Sequence, residues 1–289
     1  MPFLQQQLKE VFGPDAQFRD QYQETAVRKI LNKERVLVVQ KTGWGKSLVY
    51  FLATKILRQR SEGATIIISP LLSLARNQIN STRKYGIIAE SINGQQNSKQ
   101  SEREWLVRRC NNGQCDVLFI TPEQLQKEEF IQLLSQLKIA LFVVDEAHCI
   151  SDWGHDFRPD YRRIRQLLNS LPSNIGVLTT TATANNRVIE DVAKQLGDCE
   201  VIRGPLLRES LNLHKIYLPT LEEKYAWILN NINRLPGSGI IYATTIKECE
   251  RLAEWLQSNQ IAAYPYHSNL NEQVKVELEE KLIRNELKV

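Results

Sequence analysis

Short, uninterrupted apolar runs recur along this chain, separated by stretches with helical spacing. Residues 35–39, 65–69, 117–120, 139–144, 176–180 and 240–243 are runs of this kind. A run without polar alternation predicts a strand covered on both faces. Strands of that type alternating with amphipathic segments predict an α/β fold with a parallel, doubly wound sheet. One amphipathic segment follows Ser47, where Leu48, Phe51, Leu52 and Leu57 fall near helical spacing. The polar stretch 93–100 predicts a loop entering a charged helix near 101–110.

The pattern loosens over 203–213, from Arg203-Gly204-Pro205 onward, and predicts a first domain at 1–205, a linker at 206–218 and a second α/β unit at 219–289. In that unit Gly239–Ala243 and Ile261–Tyr264 are expected strands and 246–258 an expected helix. Val274, Leu278 and Leu282 mark one face of another helix, and Glu286–Val289 has the composition of a lead-in to a further strand. So few elements make a thin core for a sheet needing cover on both faces, so the second unit is expected to be incomplete.

Two polar clusters leave these runs at the strand ends where open α/β sheets bind ligands. Arg35–Val39 is followed by Gln40-Lys41-Thr42-Gly43-Trp44-Gly45-Lys46-Ser47, after which the amphipathic segment begins. A strand, a glycine-containing turn and a helix N-terminus make an anion cradle, because glycine lets backbone N–H groups turn inward and the helix dipole adds positive charge. Lys46 would reach the β- and γ-phosphates of a nucleotide and the Ser47 hydroxyl would sit on Mg²⁺. The strict phosphate-loop pattern has glycine where Gln40 stands, so taken alone the segment is also compatible with a tight turn before a surface helix.

The run Ile139–Val144 ends in the carboxylates Asp145 and Glu146. Asp145 would be the second Mg²⁺ anchor, and Glu146 would orient or deprotonate the attacking water. Alone, such a pair also suits an ion-paired strand cap; both clusters in chain order within one domain favour ATP and Mg²⁺ chemistry. After them comes Ala147-His148-Cys149-Ile150-Ser151-Asp152-Trp153-Gly154-His155-Asp156-Phe157-Arg158-Pro159, in which aromatics interleave with basic and acidic residues. Aromatic rings beside basic groups suit nucleic acid, since every base offers a π-face; the plainer reading is that Trp153 and Phe157 pin a loop to the core.

Charge adds little. The balance of 37 Lys+Arg against 33 Asp+Glu gives +4, which permits nucleic-acid binding without arguing for it. No apolar stretch is long enough to span a bilayer and the first residues lack a signal-peptide pattern, so an intracellular, cytoplasmic protein with no membrane partner is expected. The five cysteines, Cys110, Cys115, Cys149, Cys199 and Cys249, are scattered, and no second pair joins Cys110 and Cys115 to complete a zinc site. Free thiols and no structural zinc are expected.

The segment Asp145–Tyr161 resembles motif II and the aromatic-rich loop of the RecQ family of DNA helicases, within helicase superfamily two. Other segments fall in that family's order. Phe18-Arg19 with Gln23 resembles its adenine-reading motif, Ser69–Leu74 with Gln78 its motif Ia, and Thr121-Pro122-Glu123 its motif Ib. Thr181-Ala182-Thr183-Ala184 is similar to motif III, and Gly239–Thr244 with Tyr266-His267-Ser268 to the opening of the second motor domain. Read singly, Ser69-Pro70 suits a strand-ending turn and Thr121-Pro122 a helix cap; their order carries the likeness.

The resemblance implies a RecA-like motor domain followed by the first part of a second. It implies an ATP-driven motor moving 3′ to 5′ on single-stranded DNA, with forked DNA as a partner structure. Gln23 would hydrogen-bond adenine with Arg19 packed nearby, and Thr42, Gly43, Gly45, Lys46 and Ser47 would hold the phosphates. His148 would link the nucleotide to motif III through Thr181 or Thr183. Trp153, His155, Phe157 and Arg158 would couple DNA to hydrolysis, and Ser69, Thr121, Thr181 and Thr183 would grip or signal along the DNA backbone.

The sequence departs from the family in three places. Phe18-Arg19 and Gln23 are separated by three residues instead of two, which makes Gln21 a rival. Gln40 and Trp44 replace the usual phosphate-loop residues. Nothing matches motifs V and VI, which carry the family's arginine finger, a group worth roughly 10³–10⁵ in turnover. The chain alone is therefore expected to bind ATP and hydrolyse it weakly, with a complementary chain one way to supply motifs V and VI. The alternative class is a non-catalytic, ATP-responsive nucleic-acid-binding or assembly module, against which intact Lys46, Asp145 and Glu146 count.

Overall fold

Seven parallel strands form one sheet: β1 (Arg35–Val39), β2 (Ala64–Ile68), β3 (Ala89–Ile92), β4 (Val117–Ile120), β5 (Ile139–Val144), β6 (Gly176–Thr181) and β7 (Glu200–Arg203). Across the sheet they run β3-β4-β2-β5-β6-β1-β7. The structure, a computed structural model, describes residues 2–70, 78–92, 100–151, 164, 167–168, 171–172, 174–197, 199–207 and 210–289. The chain divides into two units, Met1–Ser210 and Leu211–Val289, and the sheet belongs to the first.

The apolar runs are continuous because alternate residues of one strand serve opposite layers. On β5, Phe142 and Val144 pack into one core while Leu141 and Val143 pack into the other. The second of these layers is closed by α1 (Pro2–Phe12), α2 (Gln21–Leu31) and α3 (Lys46–Gln59), through Leu8, Val27, Ile30, Phe51 and Leu52 among others. The first is closed by α4 (Gln100–Asn111), α5 (Glu128–Ser135) and α6 (Asn186–Leu196), through Leu106, Phe130 and Val192. Each fully buried aliphatic side chain stabilises the fold by about 1.5–3 kcal/mol against its exposed state. A two-sided core of this kind is what an all-parallel sheet requires.

Two strands have no counterpart among the predicted runs. β3 reads Ala89-Glu90-Ser91-Ile92 and β7 reads Glu200-Val201-Ile202-Arg203, and each lies at a sheet edge. An edge strand pairs on one side only, so polar residues survive there and the apolar signal disappears: on β7 only Ile202 is buried. β2 also ends one residue before its predicted limit, which leaves Ser69 beyond the strand.

The second unit holds α7 (Leu221–Ile232), α8 (Ile246–Ser258) and α9 (Glu272–Ile283), each entered through a capping residue, Thr220, Thr245 and Asn271 respectively. Its small core joins Ile232, Leu252, Leu256, Ile261 and Ala263. The predicted strands at 240–243 and 261–264 are corrected here: both segments are irregular. The segment 287–289 bonds both without regular alternation: Gly239 N–H donates to Lys288 O at 2.9 Å, Lys288 and Val289 N–H both donate to Ala262 O at 2.8 and 3.1 Å, and Tyr264 N–H donates to Val289 O at 3.2 Å. That pattern is not a regular ladder, and Tyr242 stays 92% exposed.

Candidate nucleotide site

The sheet order brings the two sequence clusters together. β6 lies between β1 and β5, with Val39 opposite Thr181 and Val144 opposite Thr179. The C-terminal ends of three adjacent strands therefore deliver Gln40–Ser47, Thr180–Thr183 and Asp145–His148 to one edge. This is the edge at which open α/β sheets take ligands.

The turn after β1 has the backbone an anion cradle needs. Gly43 and Gly45 have φ of 82° and 96°, a region closed to most side chains. Gly45 caps α3 and brings no capping side chain to the first turn of that helix. Thr42 and Gly43 are exposed, Lys46 and Ser47 half-buried. The Lys46 ammonium donates to Gln40 O at 3.1 Å, closing the loop on itself. The Gln40 side chain leaves the loop: it is buried against Gly204, where no side chain could fit, and its Nε2 has no partner among the described residues. Glutamine at the place of the usual glycine is thus accommodated beyond the end of β7.

Asp145 is 5% exposed. Its Oδ1 accepts from Thr180 Oγ1 at 2.5 Å and from Glu146 N–H at 3.0 Å. Burial raises its pKa above the ordinary carboxylate range, while the Thr180 bond and the nearby Lys46 charge pull the other way. A buried acid provided with donors is suited to being a cation ligand. Among the described residues no group of three or more His, Cys, Asp or Glu side chains gathers as a metal site. A cation here would instead be held by Asp145 with Ser47 and phosphate oxygens, the donor set Mg²⁺ prefers.

Glu146 has φ of 51°, an uncommon conformation for a non-glycine residue, and it turns the chain sharply off the strand. Its Oε2 lies 3.3 Å from His148 Nδ1. The same ring nitrogen is 3.1 Å from Thr181 Oγ1 and 3.4 Å from Thr183 Oγ1. Both threonines of the predicted pair therefore meet His148, Thr181 the more closely. A carboxylate at the strand end and the next polar loop are joined through one imidazole.

The segment before α2 reaches the phosphate loop. Gln23 is fully buried; its Oε1 accepts from Arg19 N–H at 2.8 Å and its Nε2 donates to Trp44 O at 2.7 Å. The Arg19 guanidinium donates to Gly43 O. The indole N–H of Trp44, itself buried, donates to Asp20 Oδ2 at 2.6 Å. Gln21 is exposed and lines, with Phe18, Lys9 and Glu24, a cavity of about 350 Å³.

Farther along the same edge, Ser69 follows β2 and Thr121 follows β4, two neighbouring strands. Both are buried, and Ser69 Oγ has no hydrogen-bond partner among the described residues. Trp153, His155, Phe157 and Arg158 lie outside the described residues. Sequence reasoning missed Asp20, Thr180 and Tyr50. Asp20 carried a signal as a helix-capping aspartate, accepting from Gln23 N–H. Tyr50 did not: it is fully enclosed, and burial followed by the charge of Asp145 holds its phenol well above the usual range, opposed by hydrogen bonds with Gln78 and Ser47.

A parallel sheet with helices on both faces, a glycine turn after one central strand and an Asp-Glu pair after another define a RecA-like α/β fold of the kind found in helicase motor domains. Residues 20–192 match the DEAD/DEAH box helicase family, and the chain belongs to it. It is 36% identical over 276 residues to the ATP-dependent DNA helicase RecQ of Bacillus subtilis, covering 92% of this chain and 44% of that protein. It is 32% identical to RecQ of Haemophilus influenzae, over 98% of this chain and 44% of the relative. The chain thus spans less than half the length of these relatives. Among solved structures, a Saccharomyces cerevisiae Dbp5 variant bound to RNA and ADP·BeF3 superposes with a TM-score of 0.74 at 19% identity, over 98% of this chain and 72% of that one. The helicase MrfA bound to DNA gives 0.69 at 14% identity, over 98% and 43%. No helix among the described residues is long and apolar enough to cross a membrane.

Proposed function

We propose that this chain is the ATP-binding portion of a RecQ-type DNA helicase motor, which couples ATP hydrolysis to 3′–5′ movement along single-stranded DNA. The observation that carries this reading is the meeting of Lys46, Asp145 and Glu146 at the ends of β1 and β5, with His148 joining Glu146 to Thr181 and Thr183. Residues 1–205 are the first motor domain and 219–289 the beginning of the second, joined by 206–218. Thr42, Gly43 and Gly45 present backbone N–H groups to the phosphates, and Lys46 offsets their charge. Ser47 and Asp145 would hold Mg²⁺, which when bound neutralises charge on the β- and γ-phosphates. Glu146 takes the proton of the attacking water as the γ-phosphorus–oxygen bond to ADP breaks. His148 passes the state of that carboxylate to the loop after β6. The loop with Trp153, His155, Phe157 and Arg158 stacks on and senses DNA, while Ser69 and Thr121 contact its phosphates.

The decisive test compares the parent chain with Glu146→Gln for ATP affinity and for hydrolysis with and without single-stranded DNA at low salt. The expected result is weak hydrolysis by the parent, as befits a chain without motifs V and VI, that falls to background in the variant with ATP affinity within about threefold. Equal turnover by the two proteins, or no affinity of the parent for ATP, would refute the proposal.

A further inference from the structure

We propose that Cys110 and Cys115 form a modification site: a buried dithiol that a hydroperoxide closes into an intramolecular disulfide, with Cys110 as the attacking sulfur. The pair lies between the end of α4 and the start of β4, at the sheet edge opposite the nucleotide site, and the mechanism proposed above makes no use of it.

The backbone brings the two residues together. α4 ends in a turn in which Gln114 N–H donates to Arg109 O at 2.8 Å and Gly113 N–H to Cys110 O at 3.3 Å. Gly113, with φ of 79°, supplies the left-handed residue that such a helix end requires. The turn reverses the chain, so Cys115 comes back against the last turn of the helix that carries Cys110. Arg58 of α3 fixes this return. Its Nη2 donates to Cys115 O at 3.0 Å and to Cys110 O at 3.4 Å, and its Nε donates to Asp116 Oδ1 at 2.9 Å. Asp116 Oδ2 in turn accepts from Ile88 N–H at 2.9 Å. Both cysteines are free thiols, fully buried in one core layer.

The surroundings divide the roles. A hydrogen bond from Cys115 holds the Cys110 thiol below the ordinary thiol range, against burial, and the charges of Arg58 and Arg109 act the same way. Cys115 is pushed up by that same hydrogen bond and by burial, so it keeps its proton. Val117 O, 3.3 Å from the Cys115 sulfur, is a second acceptor for that proton. The Cys110 thiolate attacks one oxygen of the hydroperoxide. An S–O bond forms, the O–O bond breaks, and the leaving oxygen takes a proton and departs as water or an alcohol. The Cys115 sulfur then attacks the Cys110 sulfur. An S–S bond forms, the S–O bond breaks, and hydroxide leaves as water with the Cys115 proton. The electrons that the thiols lose are those the peroxide gains. Residues 111–114 are all exposed, so only the last turn of α4 has to open for a peroxide to reach Cys110.

Trypsin cleavage after Arg109 and Lys127 leaves both cysteines in one peptide, 110–127, apart from Cys149, Cys199 and Cys249. The whole folded chain is treated with hydrogen peroxide, the dose being raised until Cys199 or Cys249 reacts, then blocked with iodoacetamide, digested and weighed by mass spectrometry. The peptide is expected without an alkyl group and two hydrogens lighter than the dithiol, and dithiothreitol before blocking should return it to double alkylation. Cys115→Ser should stop at a sulfenic acid on Cys110 that dimedone traps, and Cys110→Ser should slow oxidation of Cys115 by about tenfold or more. A 110–127 peptide still doubly alkylated at the dose that oxidises Cys199 or Cys249 would overturn the proposal. So would a cross-link from either cysteine to Cys149, Cys199 or Cys249. A sulfenic acid forming on Cys115 in the one variant as fast as on Cys110 in the other would overturn the order of attack. The experiment on the parent chain decides the disulfide by itself if either variant fails to fold.

Discussion

Replacing Thr180 by valine removes one hydroxyl and keeps the shape of a fully buried side chain. That hydroxyl donates to Asp145 Oδ1 at 2.5 Å, and the remaining donor to the same oxygen is Glu146 N–H at 3.0 Å. A hydrogen bond to a buried charged group is worth about 1.5–3 kcal/mol and one to a neutral group about 1 kcal/mol. The pH dependence follows from the sign of the shift. Burial already raises the folded-state pKa of Asp145 above the ordinary 3.8, and the Thr180 bond lowers it, so the variant's folded-state pKa rises further while the unfolded value stays put. Above that folded-state pKa the carboxylate is ionised and the whole 1.5–3 kcal/mol is lost, a factor of about ten to a hundred in the opening equilibrium. As pH falls through it, Asp145 takes up a proton and the loss shrinks to about 1 kcal/mol. Urea unfolding followed by hydrogen exchange in β5 and β6 peptides reads the first unit by itself. A Thr180→Val loss that is the same at every pH, or absent at neutral pH, would refute the assignment of this hydroxyl as the donor that keeps Asp145 charged.

Three further outcomes are expected. Gly45→Ala places a side chain at φ of 96° and 2.8 Å from Gln23 Nε2, so ATP affinity should fall at least about tenfold and the first unit should lose about 1–3 kcal/mol of stability; unchanged affinity and stability contradict the strain argument. Phe142→Ala empties a fully buried site in the layer closed by α4, α5 and α6 and should destabilise the first unit by about 3–5 kcal/mol in the same exchange experiment. His148→Ala removes the imidazole that joins Glu146 to Thr181 and Thr183, and should lower ATP hydrolysis by about tenfold or more with ATP affinity preserved; an equal loss of ATP affinity would point to a packing role instead.

The central strands were legible because parallel strands buried on both faces leave no room for polar alternation, and the runs at β1, β2, β4, β5 and β6 carry that mark. Chemistry at their ends was legible for the same reason: Lys46 and the Asp145–Glu146 pair stand out where an apolar run stops. Edge strands escape this logic, as Glu90 and Glu200 show, because a half-paired strand tolerates charge. The assembly of the site was not legible, since β6 lies between β1 and β5 and chain order says nothing of that placement. Thr180 therefore looked like one threonine of a row until its strand neighbour supplied Asp145. Gln23 shows the limit most sharply. Its residue type and its place after Phe18-Arg19 carry the likeness to an adenine-reading motif, but they do not say which groups its buried amide faces in the structure. Those groups, the Arg19 N–H and the Trp44 carbonyl, are backbone atoms, and no side-chain pattern announces where backbone atoms of a loop 21 residues away will come to rest.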